Sequence, residues 1–105
     1  MGGILALRYL RGDRLPLWVG VIHGVTGTAG LGLLLLALQG PSRGEAMGVG
    51  SFGVTAAMLF SIAAVLGLLI LFPHRRPRVA GIAVATHGSL AIAAFVLFLA
   101  WASMG

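Results

Sequence analysis

The chain has 105 residues and a formal net charge of +5, and 59% of its residues are hydrophobic while 9% are charged. A soluble domain has roughly 45–50% apolar and about 25% charged residues, so this composition indicates an integral membrane protein. Cysteine is absent, which excludes disulfide bonds, thiolate-bound iron–sulfur clusters and a cysteine nucleophile. The arginines flank apolar runs, so we interpret the positive charge as setting membrane topology rather than as binding nucleic acid.

The chain starts with a basic segment, residues 1–14, that carries Arg8, Arg11 and Arg14 among leucine, isoleucine and glycine. This pattern suits either a short interfacial helix lying on the membrane surface or a frayed terminus, and both interpretations stay open. The apolar run that follows is too long for the apolar region of a signal peptide, so we expect it to remain as a membrane span.

Three uncharged apolar runs follow, and each is long enough for a helix across a hydrocarbon core of about 30 Å. They are residues 15–38, 49–72 and 79–103. Backbone in lipid must satisfy its hydrogen bonds internally, so each run is predicted to be a helix. The connections, 39–48 and 73–78, contain glycine or proline and are short, which makes neighbouring helices antiparallel and the first and third helices parallel. The predicted fold class is a single all-α membrane domain with three transmembrane helices in a small bundle.

Arginine is distributed unequally between the two sides of this predicted bundle. Residues 1–14 carry three arginines and residues 73–78 carry three more, whereas residues 39–48 have only Arg43, beside Glu45. Cytoplasmic loops are the ones enriched in basic residues, so we predict a cytoplasmic N-terminus and an outside C-terminus. The absence of lysine and the abundance of glycine and alanine are typical of a bacterial chain, and we expect it in the bacterial inner (cytoplasmic) membrane.

Two histidines lie inside the first and third spans. His23 stands in VIHGVTGTAG and His87 in ATHGSLAIAA, each about eight residues from the predicted cytoplasmic end of its helix. At 1.5 Å per residue both lie about 12 Å deep on parallel helices, so the two side chains can face each other. An ionisable side chain inside a membrane span is costly, and it marks a candidate for function.

Small residues share the helix face of each histidine, because positions three, four and seven apart lie on the same side of a helix. A strip of small residues admits either another helix backbone or a flat cofactor. Around the first histidine these residues are Gly20, Gly27 and Gly30, and around the second they are Ala80, Ala83, Ala91 and Ala94.

These features support the hypothesis of one haem b between the first and third helices, with His23 and His87 as its axial ligands and metal-binding residues. The second ring nitrogen of each histidine should then donate to a carbonyl or hydroxyl, and Thr26 lies within a turn of His23. The other predicted cofactor-binding residues are Gly20, Gly27, Ala83, Ala91 and Arg76. The small residues would make room for the macrocycle, and the arginine would pair with a propionate.

Two further interpretations of the histidines stay open. Each imidazole could hydrogen-bond across a helix interface and serve packing alone, as in a non-catalytic accessory or scaffold subunit of a respiratory or photosynthetic complex. The third interpretation is a bound (bacterio)chlorophyll. The spacing Ala83-x-x-x-His87 resembles that of light-harvesting polypeptides, a resemblance of five residues, which implies a pigment on His87.

The acidic residues also limit the function. Asp13 and Glu45 are the only ones, and both lie outside the spans. The spans therefore lack the carboxylates of a proton path, and the chain lacks a set of residues that could converge as the Ser/His/Asp site of a hydrolase. We therefore expect a small membrane subunit of a larger electron-transfer complex without catalytic activity of its own. Its expected partners are the lipid bilayer and other membrane subunits or a second copy of the chain, and not nucleic acid.

Overall fold

The computed structural model describes residues 2–71 and 77–104, with the backbone alone over 77–80. Within these ranges the chain is helical, and strands are absent. A short 3-10 turn, Glu45–Met47, lies in the connection between the second and third of the four α-helices. The α-helices are α1 (Gly2–Leu10), α2 (Leu17–Ala37), α3 (Phe52–Leu71) and α4 (Pro77–Ser103).

Three of these helices are long and apolar enough to cross a membrane, namely α2, α3 and the part of α4 from Gly81 to Ser103. The predicted spans are thus confirmed as helices, and their ends differ from the prediction by a few residues. Pro16 has an extended backbone (φ −60°, ψ 144°) and α2 begins after it. Pro77 is the first residue of α4, where its missing N–H has no hydrogen bond to lose.

Helix α3 lies between the other two long helices and packs more extensively against α4 than against α2. Its buried residues are all small: Gly53, Ala56, Ala57 and Ala63. Small side chains let helix backbones approach closely, and this packing matters in lipid because lipid tails are as apolar as leucine and provide no hydrophobic drive for association. The small-residue face of α3 therefore holds the three spans together.

The directions of the helices follow from pairs of contacts. A methyl group placed on Gly53 would lie 2.7 Å from the Trp101 ring, and one on Gly67 would lie 3.2 Å from the His87 ring, so α3 and α4 are antiparallel. The start of α2 lies beside the end of α3, since a methyl group on Gly20 would lie 3.1 Å from Leu71. The end of α2 lies beside the start of α3. Helices α2 and α4 therefore run in the same direction.

The hydrophobic core lies where α2 ends and α3 begins, and Trp101 is its largest member, with 4% of its surface exposed. Because Trp101 stands near the end of its span, the sequence predicts an interfacial residue, and this prediction is wrong: the indole is packed on the backbone of α3 at Gly53. Trp18, which also stands near the end of its span, is 64% exposed, as the sequence predicts for an interfacial residue. The other buried core residues are Leu34, Ala56 and Ala57.

Helix α1 lies against the first turns of α2 and α4. A methyl group on Gly2 would be 3.5 Å from Cε1 of His23, and the Tyr9 hydroxyl is 3.7 Å from the corresponding position on Gly81 of α4. Gly2 and Tyr9 are close to opposite ends of α1, so this helix runs alongside the other two. The segment is thus a helix rather than a frayed terminus, and its first turn lies next to His23.

Candidate functional site

The structure brings His23 and His87 together. Their ring centroids are 6.2 Å apart, and the ring planes are nearly perpendicular at 84°. One ring comes from α2 and the other from α4, 64 positions later in the sequence, and both helices pack on α3. Parallel helices in register are what allow side chains so distant in sequence to meet at one level of the bundle.

The ring of His87 is fixed by a hydrogen bond to the backbone of α3. Its Nδ1 lies 2.7 Å from the carbonyl oxygen of Ala63. A carbonyl oxygen can only accept, so Nδ1 is the donor and carries the proton. The neutral ring then has a lone pair on Nε2, which is the form of histidine that binds a metal ion.

Gly67 makes this hydrogen bond sterically possible. A methyl group at this position would lie 3.2 Å from Cε1 and 3.6 Å from Nδ1 of His87, which is closer than ordinary van der Waals contact for the first of these atoms. The imidazole therefore lies on the bare backbone of α3 and reaches the carbonyl of Ala63. Sequence reasoning missed both residues of α3, although Ala63-x-x-x-Gly67 is a small-xxx-small motif of the kind found at helix interfaces.

His23 is held less firmly than His87. Its half-buried ring lies between His87 and Gly2 of α1, and it makes no hydrogen bond to any residue within 2–71 or 81–104. The expectation that Thr26 supports this ring is wrong, because the Thr26 hydroxyl donates to the carbonyl of Ile22 at 2.8 Å, within α2 itself. Among the described residues, the His23 ring is thus positioned by packing against His87 and Gly2.

The glycines of α2 that share the His23 side of the helix have different surroundings. Gly20 faces a side chain of α3, since a methyl group there would lie 3.1 Å from Cδ2 of Leu71. Gly24, Gly27 and Gly30 have no atom of the described chain within 4 Å of where a methyl group would stand. Space beside His23 is therefore filled at Gly20 and open at Gly27.

Of the small residues around His87, Ala83, Ala91 and Ala94 lie on the face that α4 turns to α3. Ala83 and Ala91 are half-buried, and Ala94, farther along the same strip, is fully buried. This strip therefore serves the close approach of α4 to α3. The predicted propionate partner, Arg76, lies outside the described residues.

The separation of the two rings fits a metal ion between them. Imidazole nitrogens bind metals at about 2 Å, and the ring centre lies about 1 Å behind the nitrogen, so two axial ligands place their centroids about 6 Å apart. Haem iron takes up to two axial ligands from the protein because the macrocycle supplies the other four. Perpendicular ring planes are compatible with this arrangement, since each ring can rotate about its own bond to the metal. The separation of 6.2 Å between the ring centroids is compatible with a shared metal ion and equally with edge-to-face packing of the two rings.

Among the described residues, no group of three or more histidine, cysteine or carboxylate side chains is placed to hold a metal ion. Comparisons with protein-family models, curated proteins and solved structures gave no match for this chain. Function is therefore argued from the histidine pair itself, because a bundle of apolar helices can support many activities.

Proposed function

We propose that this chain is a small membrane subunit that binds one haem b between α2 and α4 and passes electrons within a larger complex. His23 and His87 would hold the haem iron. The observation that carries the proposal is the meeting of these two rings, with 6.2 Å between their centroids, from helices far apart in sequence. When bound, the haem supplies one-electron transfer, which none of the side chains of the pair performs alone.

The hydrogen bond from His87 to Ala63 supports a ligand role. Metal-binding histidines almost always donate their second ring N–H to a carbonyl, a carboxylate or water, which fixes the tautomer and raises the basicity of the ligating nitrogen. The 2.7 Å bond to Ala63 provides this partner. One turn after His23, Gly27 is exposed, and no described atom lies within 4 Å of a methyl position there.

The proposal includes an orientation and a location. With the start of α2 on the cytoplasmic side, the histidine pair lies in the cytoplasmic half of the bundle. Of the basic residues that the sequence puts on that side, Arg76 would pair with a propionate. The membrane is the bacterial inner membrane, and the remaining partners are other subunits of the complex or a second copy of the chain.

A second candidate function is that of an accessory subunit in which His87 only packs. Its hydrogen bond to Ala63 crosses the α3–α4 interface, and interhelical bonds of this kind stabilise membrane bundles without any cofactor. Leu71 beside Gly20 favours the same interpretation, because it fills part of the space that a macrocycle would use.

The test is the absorption spectrum of the full chain, purified in mild detergent with its native partners, before and after reduction by dithionite. Bis-histidine haem gives a Soret band and sharp α and β bands on reduction, and His23→Ala and His87→Ala each abolish this low-spin spectrum. Thr26→Val is the matched control on α2 and keeps the wild-type spectrum, because its hydroxyl bonds only to Ile22.

Two results would contradict the haem proposal. A colourless wild-type protein that still carries its partners leaves packing as the function of the histidines. A far-red band without a reducible Soret band identifies a chlorophyll-type pigment instead.

A further inference from the structure

A small cavity lies at the end of the bundle opposite the histidine pair, where α2 and α4 end and α3 begins. We infer that this cavity binds the headgroup of a zwitterionic phospholipid with a primary ammonium group, the phosphatidylethanolamine class. Arg43 binds its phosphate and Glu45 binds its ammonium. The inference is independent of the proposed haem site, because the histidines contribute nothing to this cavity.

The size and position of the cavity suit a headgroup. Its volume is about 140 Å³, whereas pockets that enclose drug-sized ligands measure about 300–1,000 Å³. The bundle is 47 Å long, so its ends reach the headgroup regions of a bilayer about 40–45 Å thick. The cavity therefore has room for a phosphate and a short amine at the level where lipids carry these groups.

Arg43 is held at the wall of the cavity by the end of α4. Its Nη1 donates to the carbonyl of Ala102 at 3.4 Å, and its guanidinium carbon lies 5.8 Å from the centroid of the Trp101 ring, which also lines the cavity. A guanidinium has five N–H groups, so the bond to Ala102 leaves others for a ligand. Arginine binds phosphate oxygens through parallel N–H groups, which makes Arg43 the residue for the phosphate.

Glu45 brings the opposite charge to the same cavity. It begins the 3-10 turn between α2 and α3, which is flanked by Gly44 and Gly48 with φ of 72° and 73°. Its side chain lies on the bare backbone of Gly50, because a methyl group there would be 3.0 Å from Cγ of Glu45. A carboxylate accepts the N–H groups of a primary ammonium and repels a headgroup with net negative charge. The cavity therefore favours a headgroup that carries both charges.

Apolar residues beside the two charges favour a lipid over a soluble phosphate compound. Leu38 at the end of α2 and Val54 in the first turn of α3 line the cavity together with Trp101. Val54 is 53% exposed, so in a membrane its surface contacts acyl chains. A phospholipid bound by its headgroup gains this contact through its acyl chains, and a free headgroup does not.

The experiment measures the binding of single lipids to the full-length protein in mild detergent by native mass spectrometry. The probes are phosphatidylethanolamine, phosphatidylcholine and phosphatidylglycerol with identical acyl chains. We expect wild type to bind one phosphatidylethanolamine about tenfold or more tightly than either of the others, because only this headgroup offers both a phosphate and an ammonium with N–H groups. Glycerophosphoethanolamine, the same headgroup without acyl chains, should bind about tenfold or more weakly than the lipid.

The first variant, Glu45→Gln, removes the negative charge and keeps the shape of the side chain that lies on Gly50. It should lower the preference for phosphatidylethanolamine over phosphatidylglycerol by about tenfold, because the ammonium loses its partner and the anionic headgroup is no longer repelled. Asp13→Asn is the matched control: it removes a carboxylate outside the cavity and keeps the wild-type preference.

The second variant, Arg43→Gln, should weaken the binding of all three phospholipids by about tenfold, because the phosphate that they share loses its partner. Arg14→Gln, at the other end of the bundle, is its matched control and binds as wild type does. Arg43 also contacts the end of α4, so thermal unfolding of each variant is measured alongside. The change of lipid preference in Glu45→Gln does not depend on Arg43→Gln folding.

Three results would overturn the inference. The first is a wild-type protein that binds the three phospholipids equally, and the second is a Glu45→Gln variant that keeps the wild-type preference. The third is glycerophosphoethanolamine bound as tightly as the lipid, which would make the cavity a site for a soluble zwitterion. A wild-type protein without a haem spectrum contradicts the proposed function and leaves these lipid measurements unaffected.

Discussion

Gly53 of α3 packs tightly against Trp101 of α4. A methyl group on Gly53 would lie 2.7 Å and 2.8 Å from two atoms of the indole and 2.9 Å from Cδ2 of Leu38. The backbone of α3 is thus in direct contact with the largest buried side chain of the core. Any side chain at this position must displace either a rigid ring or the helix that carries it.

We expect Gly53→Ala to destabilise the folded protein by about 1–3 kcal/mol through overpacking against Trp101. Alanine also favours helix by about 1 kcal/mol over glycine, so the proper comparison is Gly32→Ala, which gains the same propensity in open space. Thermal unfolding in detergent should give Gly53→Ala the lower midpoint of the two. A midpoint equal to or above that of Gly32→Ala would show that the indole moves away without cost.

Arg43 has a specific partner although it lies on the side of the bundle with few arginines. Its guanidinium lies 5.8 Å from the centroid of the Trp101 ring, and its Nη1 donates to the carbonyl of Ala102 at 3.4 Å. Ala102 is in the last turn of α4, where the unpaired carbonyls carry partial negative charge. The arginine thus connects the loop before α3 to the end of α4.

The contact of α4 with α3 depends on the alternation of buried and exposed small residues along α4. Ala94 is fully buried, whereas Ala93, directly before it, is exposed. The two positions have the same side chain and the same helix environment, and they differ only in what lies opposite. They offer a direct measure of how tightly the interface is packed.

We expect Ala94→Leu to lower the stability of the protein by about 1–3 kcal/mol, because three extra carbon atoms must fit where no space exists. Ala93→Leu points to the surroundings of the bundle and should change stability by less than about 0.5 kcal/mol. Unfolding by denaturant in the same detergent measures both values. Equal midpoints for the two variants would mean that α3 and α4 are loosely packed at this level.

Hydropathy and loop length predict the three long helices and the meeting of the two histidines at one level of the bundle. They could not predict which face of each helix is buried, because a span that is apolar all round has no polar side to mark the surface facing lipid. Ala63 and Gly67 escape prediction for this reason, because nothing in the sequence of α3 marks the side that faces His87. Trp101 was misplaced for a related reason: a tryptophan near the end of a span can face either the headgroups or the core.

The described chain is an elongated body with extents of 47 × 20 × 20 Å. Its long dimension is close to the thickness of a bilayer with its headgroup regions, about 40–45 Å. Arg8, Arg11 and Arg14 are exposed at one end, and Arg43 lies at the other. This division of charge is what predicts the orientation across the membrane.

We expect a reporter fused after residue 105 to be outside the cytoplasm, so that an alkaline phosphatase fusion is active and a fluorescent-protein fusion is dark. Changing Arg8, Arg11 and Arg14 together to glutamine should raise the share of inverted molecules, because it removes half of the basic residues that hold that side in the cytoplasm. A wild-type fusion with a cytoplasmic C-terminus would reverse the proposed orientation.

The separation of the two histidines along the chain has a consequence for biosynthesis. His23 belongs to the first span that leaves the ribosome and His87 to the last, and the carbonyl that orients His87 belongs to the span between them. Synthesis proceeds from the N-terminus, so no nascent fragment has the complete pair before α4 has been made and inserted. The histidine pair therefore forms only after α4 has been inserted, and under the proposed function haem would be loaded only from that point on.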